Sequence, residues 1–153
     1  MIQLHVNPSE ITQIIGFNGN IDVDAILPAV NIAQNIHIKR ILGAKLYDKM
    51  QIMPLTGDYL TIRNDYLKFI LAFYSASIYL SLNTIKTTNN GSYKVAGGEG
   101  DQTATHLDLN LLSKNYESIA LSYEKSFVEF MKTVNVLEYD TTAKPLTRMI
   151  NLY

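Results

Sequence analysis

Apolar side chains recur at helical spacing along most of this chain, which predicts a mainly helical protein. The second predicted helix opens at Asp22 or Asp24 and runs to about Leu42. Ile26, Ile32 and Ile36 lie off the apolar stripe that follows one face of this helix. The residues of that stripe are Leu27, Val30, Gln34, Ile38 and Ile41. A helix with apolar residues on several faces contacts more than one layer. The second layer is either part of the same domain or a neighbouring subunit.

Capping residues and glycines set the boundaries of the predicted helices. Asn7 is a suitable N-cap for a first short helix, which Gly16 ends. Gly43 is the predicted C-cap of the second helix, since glycine adopts the left-handed conformation at little cost. A short helix from Ala44 to about Gln51 follows. The first half of the chain is therefore expected to contain three helices separated by tight turns.

Two long helices are predicted in the second half. The third main helix spans residues 66–85, with Asn64 and Asp65 as its cap. It is apolar around nearly its whole circumference, so we expect it at the centre of the core. The last helix, residues 107–134, has the clearest amphipathic pattern in the chain. Its predicted core-facing stripe consists of Leu112, Tyr116, Ile119, Tyr123, Phe127, Phe130 and Val134.

Residues 86–105 separate these two helices and are rich in Gly, Asn and Thr. Loops of this length are uncommon in a compact domain and are usually functional or disordered. The pair Asn90-Gly91 favours a small hairpin over residues 92–95. We expect the loop to contact a partner through Asn90, Tyr93, Lys94, Glu99 and Asp101.

The segment 137–153 is expected to form an extended arm behind a helical domain of residues 1–136. Pro145 blocks continuation of a helix, yet the end of the segment is too apolar to prefer water. It either folds back on its own domain or docks on a neighbouring subunit. The docking residues would be Met149, Ile150, Leu152 and Tyr153. The predicted fold is an all-α, single-domain bundle of four to five helices with one long loop and this C-terminal arm.

The composition narrows the classes of function. Charged residues make up 18% of the 153 residues, below the typical value of about 25%, which suggests that other chains cover part of the surface. A net charge of -1 disfavours general nucleic-acid binding. The absence of cysteine excludes disulfides and thiolate metal sites. The most apolar stretch, residues 69–82, is too short for a membrane span, which needs about 20 residues.

Candidate chemistry is sparse, and we expect no catalytic, metal or cofactor site. His37 is interpreted as a packed or interface imidazole, because it shares a helical turn with apolar residues. His106 and Asp108 lack the further converging ligands that a metal site needs. The glycine-rich residues 97–101 lack the Gly-Lys-Ser/Thr that binds phosphate in a P-loop. Asp22 and Asp24 are better explained as helix caps.

One basic pair, Lys39 and Arg40, lies in the last turn of the second helix. There it is expected to complement the helix dipole rather than to bind phosphate. The ten tyrosines have two interpretations that stay open. Some line the core, and others supply contact area at an interface, where tyrosine is enriched.

The segment from Asn31 to Met50 resembles the head–tail connector (adaptor) proteins of tailed phages. The similarity is greatest to versions from phages of gut Bacteroidetes, including crAss-like phages. In those sequences an Ile-x-x-x-Leu-Gly-x-x-Leu-Tyr element closes the second helix and opens a short third one. The sharp match covers about twenty residues. The corresponding element here is Ile38, Leu42, Gly43, Leu46 and Tyr47.

The resemblance implies a structural virion protein rather than an enzyme. Twelve identical subunits would form a ring beneath the portal, in contact with further ring or tail proteins. Double-stranded DNA would pass through the bore without sequence-specific binding, at the head–tail junction of a particle assembled in the host cytoplasm. The candidate subunit interface is Ile32, Ile36, His37 and Tyr47. Two alternatives remain: a monomeric helical binding or regulatory module that uses residues 86–105, and a small helical enzyme.

Overall fold

The computed structural model describes residues 6–16, 23–83, 85–88, 91–94 and 106–140. For residues 83, 85–88, 91–94 and 106 it describes the backbone alone. Most of the described chain is helical, which confirms the predicted all-α class. The helices are α1 (Pro8–Ile15), α2 (Val23–Ala33), α3 (Lys39–Met50), α4 (Gly57–Thr61), α5 (Lys68–Asn83) and α6 (His106–Met131).

A short antiparallel hairpin separates α5 from α6 in the sequence. Its strands are β1 (Ile85–Thr88) and β2 (Gly91–Lys94), with Ile85 opposite Lys94 and Thr88 opposite Gly91. The predicted hairpin therefore exists, but residues 89–90 connect the strands and Gly91 is the first residue of the second strand. The shift of one residue follows from the antiparallel register.

Capping groups fix the start of α1. The backbone N–H of Ser9 donates to the side-chain oxygen of Asn7 at 3.1 Å. The backbone N–H of Asn7 donates in turn to the Glu10 carboxylate at 3.1 Å. These reciprocal bonds satisfy donors that the first turn of a helix leaves unpaired. Glu10 also pairs with Arg63 at 2.8 Å, which ties α1 to the helix that leads into α5.

Two π-helical turns join helices end to end. Gln34–Ile38 connects α2 to α3, and Ile62–Leu67 connects α4 to α5. In the first turn the N–H of Lys39 donates to the carbonyl of Gln34, five residues earlier. A wide turn of this kind accommodates an additional residue within a helix. Gln34 and Ile38 are therefore both buried.

The third main helix, predicted to start at residue 66, begins earlier in the structure. Because α4, the π turn and α5 run on continuously, the helix begins at Gly57. Asn64 and Asp65, which were expected to cap it, lie inside the π turn, so the predicted cap is wrong. The preceding helix, α3, ends at Met50, close to the predicted end at about Gln51, and Gly57 opens α4.

A sharp break within α3 lies at Gly43. Its backbone has φ 72° and ψ 165°, between helical residues on both sides. This combination is nearly restricted to glycine. Leu42 before the break and Leu46 and Tyr47 after it are all buried. The predicted interruption of the helix at Gly43 is confirmed, whereas the left-handed cap predicted there is wrong, because ψ is 165° rather than about 47°. The break lets both segments turn their apolar residues toward the core.

Replacing Gly43 by alanine should lower the free energy of unfolding by about 1–3 kcal/mol, measured by urea denaturation. The loss would come from the backbone, because no atom lies within 4 Å of the added Cβ. Gly16, at φ 65° and ψ 27°, provides a matched control. Asparagine tolerates that left-handed conformation, so Gly16→Asn should cost much less than Gly43→Asn. Equal losses at the two positions would contradict this explanation.

Helix α5 is the centre of the fold, as the sequence predicted. It packs against α1 and α2 on one side and against α6 on the other. Close approach to α6 is possible because small residues meet there: the hydroxyls of Ser77 and Ser113 lie 2.9 Å apart. Around α5, the buried residues are Leu67, Ile70, Leu71, Ala72, Tyr74, Ser75 and Ala76.

The side of α6 that faces the core differs from the predicted stripe. Leu112 and Ile119, expected in the core, are each 39% exposed, so this part of the prediction is wrong. The stripe was drawn through the largest apolar residues, whereas small and polar residues occupy the centre of the contact. The buried residues of α6 are Ser113, Ala120, Glu124, Phe127 and Met131.

Candidate subunit interface

The exposed face of α2 and the first π turn carries the charge of Asp24 in its first turn and is uncharged from residue 25 to residue 36. Ile36 is 57% exposed and Ile32 is 36% exposed. Ile36 follows Ile32 by four positions, so the two side chains lie one above the other on the helix. We call this surface the α2 face. The exposed residues from 25 to 36 that compose it are Ala25, Pro28, Asn31, Ile32, Asn35 and Ile36.

A second exposed face, with charges only at its ends and edge, lies on α6. Between Asp108 and Glu129, one side of this helix presents apolar and small polar side chains. Helical geometry places Lys114, Glu117 and Glu124 on the other half of the helix and Lys125 at the edge of this side. We call this surface the α6 face. Its residues are Leu111, Leu112, Asn115, Ile119, Ser122 and Ser126, all of them exposed.

The serine hydroxyls of the α6 face bond to their own helix. Ser122 donates to the carbonyl of Ser118 at 3.1 Å, and Ser126 donates to the carbonyl of Ser122 at 3.2 Å. Their hydrogen bonds are made within the helix, so an apolar partner could cover them without leaving a donor unpaired.

Stacked aromatic rings support the α6 face from beneath. Phe69 stacks on Tyr123 with 4.9 Å between ring centroids. Phe73 lies 6.1 Å from Tyr116 and 5.9 Å from Tyr123. All four rings are partly buried. Offset stacks of this kind add to the free energy of burial and hold α6 firmly against α5.

A buried ion pair connects the helix behind the α2 face to α6. The Arg40 guanidinium lies 2.6 Å from the Glu124 carboxylate, and the Tyr74 hydroxyl donates to the same carboxylate oxygen. Glu124 is only 7% exposed. Arg40 was expected to complement the dipole at a helix end. It instead pairs with a residue 84 positions later, so that interpretation is wrong.

His37 packs within this cluster. Its ring stacks on Tyr74 with 3.6 Å between centroids and 8° between planes. Among the described residues, its buried Nδ1 has no hydrogen-bond partner. Burial, together with the nearby Arg40 charge, lowers the pKa of His37 to about 4. The imidazole is therefore neutral at physiological pH. His37 was interpreted either as a packed imidazole or as an interface imidazole. In this conformation it packs within the subunit.

Tyr47 lies inside the subunit, although it was proposed as an interface residue. It is 7% exposed, and its hydroxyl accepts a hydrogen bond from the side-chain amide of Gln34 at 3.1 Å. The Lys39 ammonium lies 5.8 Å from the centre of its ring. Tyr47 therefore braces the helix that carries Ile32 and Ile36 from within. Of the four predicted interface residues, only these two isoleucines are exposed.

No protein-family model, curated protein or solved structure matches this chain.

Two other sets of predicted contact residues are not placed by the structure. Tyr93 and Lys94 lie in β2, where only the backbone is described. The remaining loop and arm residues lie outside the described part of the chain. These are Asn90, Glu99, Asp101, Met149, Ile150, Leu152 and Tyr153.

The beginning of the predicted arm is attached to the helical domain. Tyr59 donates a hydrogen bond to Glu138 at 2.7 Å, and this bond lowers the pKa of the Glu138 carboxyl. The ring of Tyr139 meets that of Phe127 edge to face, with 5.6 Å between centroids. Residues 137–140 also line an open groove of about 430 Å³ beside Gly43. Residues 137–140 therefore pack against the helical domain.

The search for metal and membrane features is limited to the described residues. Within them, no group of three or more His, Asp or Glu side chains is placed to hold a metal ion. In the same ranges, no helix has the length and apolar character required to cross a bilayer.

Glu124 was not predicted in this cluster, whereas Tyr74 was among the tyrosines interpreted as lining the core, and it is 2% exposed. A signal for Glu124 exists, because it follows Ala120 by four residues and precedes Phe127 by three. That spacing places it on the buried side of α6. A glutamate at such a position needs a partner, because a buried charge is paired in most structures.

Proposed function

We propose that this chain is the subunit of a head–tail connector ring, which lies beneath the portal of a tailed phage. The observation that carries the proposal is the element Ile38, Leu42, Gly43, Leu46 and Tyr47. Its glycine has a backbone conformation that only glycine adopts readily, and its four apolar residues are buried. The resemblance thus rests on residues that determine the path of the chain.

A structural role also agrees with the surface. Large apolar residues are exposed on two helix faces, and clustered apolar surface of this kind marks interaction sites. These residues are Ile32 and Ile36 on one face and Leu111, Leu112 and Ile119 on the other. A subunit with neighbours on both sides would cover such faces. The near-neutral net charge of -1 suits a bore through which a duplex moves, because a strongly basic bore would retain the phosphates.

In this proposal the chain catalyses no reaction and requires no cofactor. It acts as a spacer between the portal and the next ring or tail protein, and DNA passes through its centre during packaging and ejection. Assembly takes place in the host cytoplasm, and the finished ring stays at the head–tail junction of the virion. The candidate contacts with partners remain residues 86–105 and the arm.

The test is the assembly of the purified chain with the portal encoded in the same genome. Twelve copies of the 17.2 kDa chain would give a ring of about 206 kDa by native mass spectrometry. Negative-stain images should show a central hole beneath the portal. A chain that stays monomeric and does not bind the portal would overturn the proposal. Capture of a different protein through residues 86–105 would favour the monomeric binding module.

A further inference from the structure

The first π turn changes which side of α2 faces the core. A straight α-helix through this turn would bury the whole predicted stripe. The residues of that stripe are Leu27, Val30, Gln34, Ile38 and Ile41. In the structure Ile38 and Ile41 are buried as expected, whereas the buried positions of α2 lie one residue earlier in the chain. They are Ile26, Ala29, Val30 and Ala33. The π turn thus takes up one more residue than an α-helical turn would.

Straightening the π turn into an α-helix would slide α2 by one residue. Its side chains would rotate by about 100° and move about 1.5 Å along the helix axis. We call the resulting arrangement the straight register and the arrangement in the structure the observed register. Each buried position of α2 would pass to the next residue in the sequence: Ile26 to Leu27, Ala29 to Val30, Val30 to Asn31 and Ala33 to Gln34.

Three of these four exchanges are compatible with a packed core. Leu27 and Val30 are apolar, and Gln34 is already buried, with its side-chain amide bonded to the Tyr47 hydroxyl at 3.1 Å. Asn31 is the exception, because it is exposed now and would replace a fully buried valine. Burial of this amide and the larger side chains at two alanine positions make the straight register the less stable one.

The two sides of the π turn are held in different ways. On the α3 side, the His37 ring stacks on Tyr74, and Arg40 pairs with Glu124. These contacts have a defined geometry. On the α2 side, the residues buried against the core are all apolar, and hydrophobic contact has no preferred direction. A slide would therefore move α2 and leave α3 in place.

We propose that the first π turn is a register switch, through which α2 slides by one residue between the observed and the straight register. Single π turns within helices are frequent at functional sites, and helix register shifts take microseconds to milliseconds. The slide would turn Ile26, Ala29 and Ala33 outward and so enlarge the exposed apolar surface of α2. The straight register is therefore a minor state in water, and an apolar partner of α2 would increase its population. This inference does not depend on the proposed ring.

The test is the labelling of single engineered cysteines, since the chain has no cysteine of its own. Ala33→Cys reports the slide, because residue 33 is buried in the observed register and would take an outward position in the straight one. Ala72→Cys, at an equally buried alanine of α5, reports unfolding of the core. A thiol reagent should label the Ala33→Cys protein at least about tenfold faster than the Ala72→Cys protein. Ala29→Cys, which the slide also turns outward, is a second reporter.

Substitutions at Asn31 separate sliding from local unfolding of α2. Asn31 is exposed in the observed register and would enter the core in the straight one. In the Ala33→Cys protein, Asn31→Leu should therefore speed labelling about tenfold, and Asn31→Asp should slow it by a similar factor. Local unfolding predicts slower labelling for Asn31→Leu, because leucine favours a helix more than asparagine does.

The controls keep the substitution and change the place. Asn115→Leu, at an exposed asparagine of α6, should leave the labelling of the Ala33→Cys protein unchanged. Asn31→Leu should not speed the labelling of the Ala72→Cys protein. Equal labelling of the Ala33→Cys and Ala72→Cys proteins would overturn the switch. So would an Asn31→Leu substitution that does not speed the labelling of either reporter on α2.

Discussion

Replacing Arg40 by methionine should lower the free energy of unfolding by about 3 kcal/mol at neutral pH. The substitution keeps an apolar stem but removes the cation that faces Glu124. Glu124 is 7% exposed, and the Tyr74 hydroxyl, which also donates to its carboxylate, cannot neutralise its charge. Urea unfolding monitored by circular dichroism measures the loss.

The size of this effect depends on the buried charge that is left behind. Adding Glu124→Gln to Arg40→Met should recover most of the stability, because glutamine is neutral and still accepts a hydrogen bond from Tyr74. A matched control is Lys132→Met, which breaks the exposed pair between Lys132 and Glu129. Exposed pairs contribute about 0–1 kcal/mol. An Arg40→Met loss as small as that of Lys132→Met would contradict the explanation.

Acid should destabilise the protein through His37, by roughly 2–3 kcal/mol between pH 6.5 and pH 4. The folded protein lowers the pKa of His37 from its ordinary value of 6.5 to about 4. Within this window the unfolded chain therefore binds a proton that the folded protein does not. Stability from this group is complete above pH 6.5 and is lost as the pH falls toward 4. Urea midpoints at several pH values measure the loss.

The variant His37→Phe isolates this contribution from that of the carboxylates. Phenylalanine keeps a ring on Tyr74 and removes both the proton site and the buried Nδ1 without a partner. The stability of the variant relative to the wild type should rise as the pH falls from 6.5 to 4. Parallel pH curves for the two proteins would show that His37 does not sense acid. An NMR titration should place the midpoint of the His37 imidazole near 4.

The sequence predicted the helices because hydrophobic periodicity and glycine breaks are local signals. Helix α2, the break at Gly43 and the long helix α6 all follow from such signals. The two π turns could not be predicted from hydrophobic periodicity or from glycine breaks. A wide turn shifts the phase of a helix, and this shift is lost in a pattern of mixed apolar residues. Gln34, at the start of the first π turn, is buried, as its place on the predicted stripe indicated.

The centre of the α5–α6 contact escaped prediction for a different reason. Large apolar residues were assigned to the core, whereas close helix packing required Ser113 and Ala120 there. The larger Leu112 and Ile119 were displaced toward solvent as a consequence. The same error concealed the α6 face, because its apolar residues had been counted as core.

The candidate interface was predicted in part. Ile32 and Ile36 lie off the main apolar stripe of α2, and the structure leaves both of them exposed. His37 and Tyr47 could not be separated from them by sequence. Their burial depends on Tyr74 and Gln34, and the contact with Tyr74 joins residues 37 positions apart.

The anchoring of Glu138 and Tyr139 on the domain limits the reach of the chain beyond them. Thirteen residues lead from Asp140 to Tyr153. An extended chain advances at most about 3.3–3.6 Å per residue, so Tyr153 stays within roughly 45 Å of Asp140. Anything that Met149 to Tyr153 touch must lie inside a sphere of that radius. This short length keeps residues 149–153 at a high local concentration around each copy of the chain. In the proposed ring, that effect would be multiplied by the number of subunits.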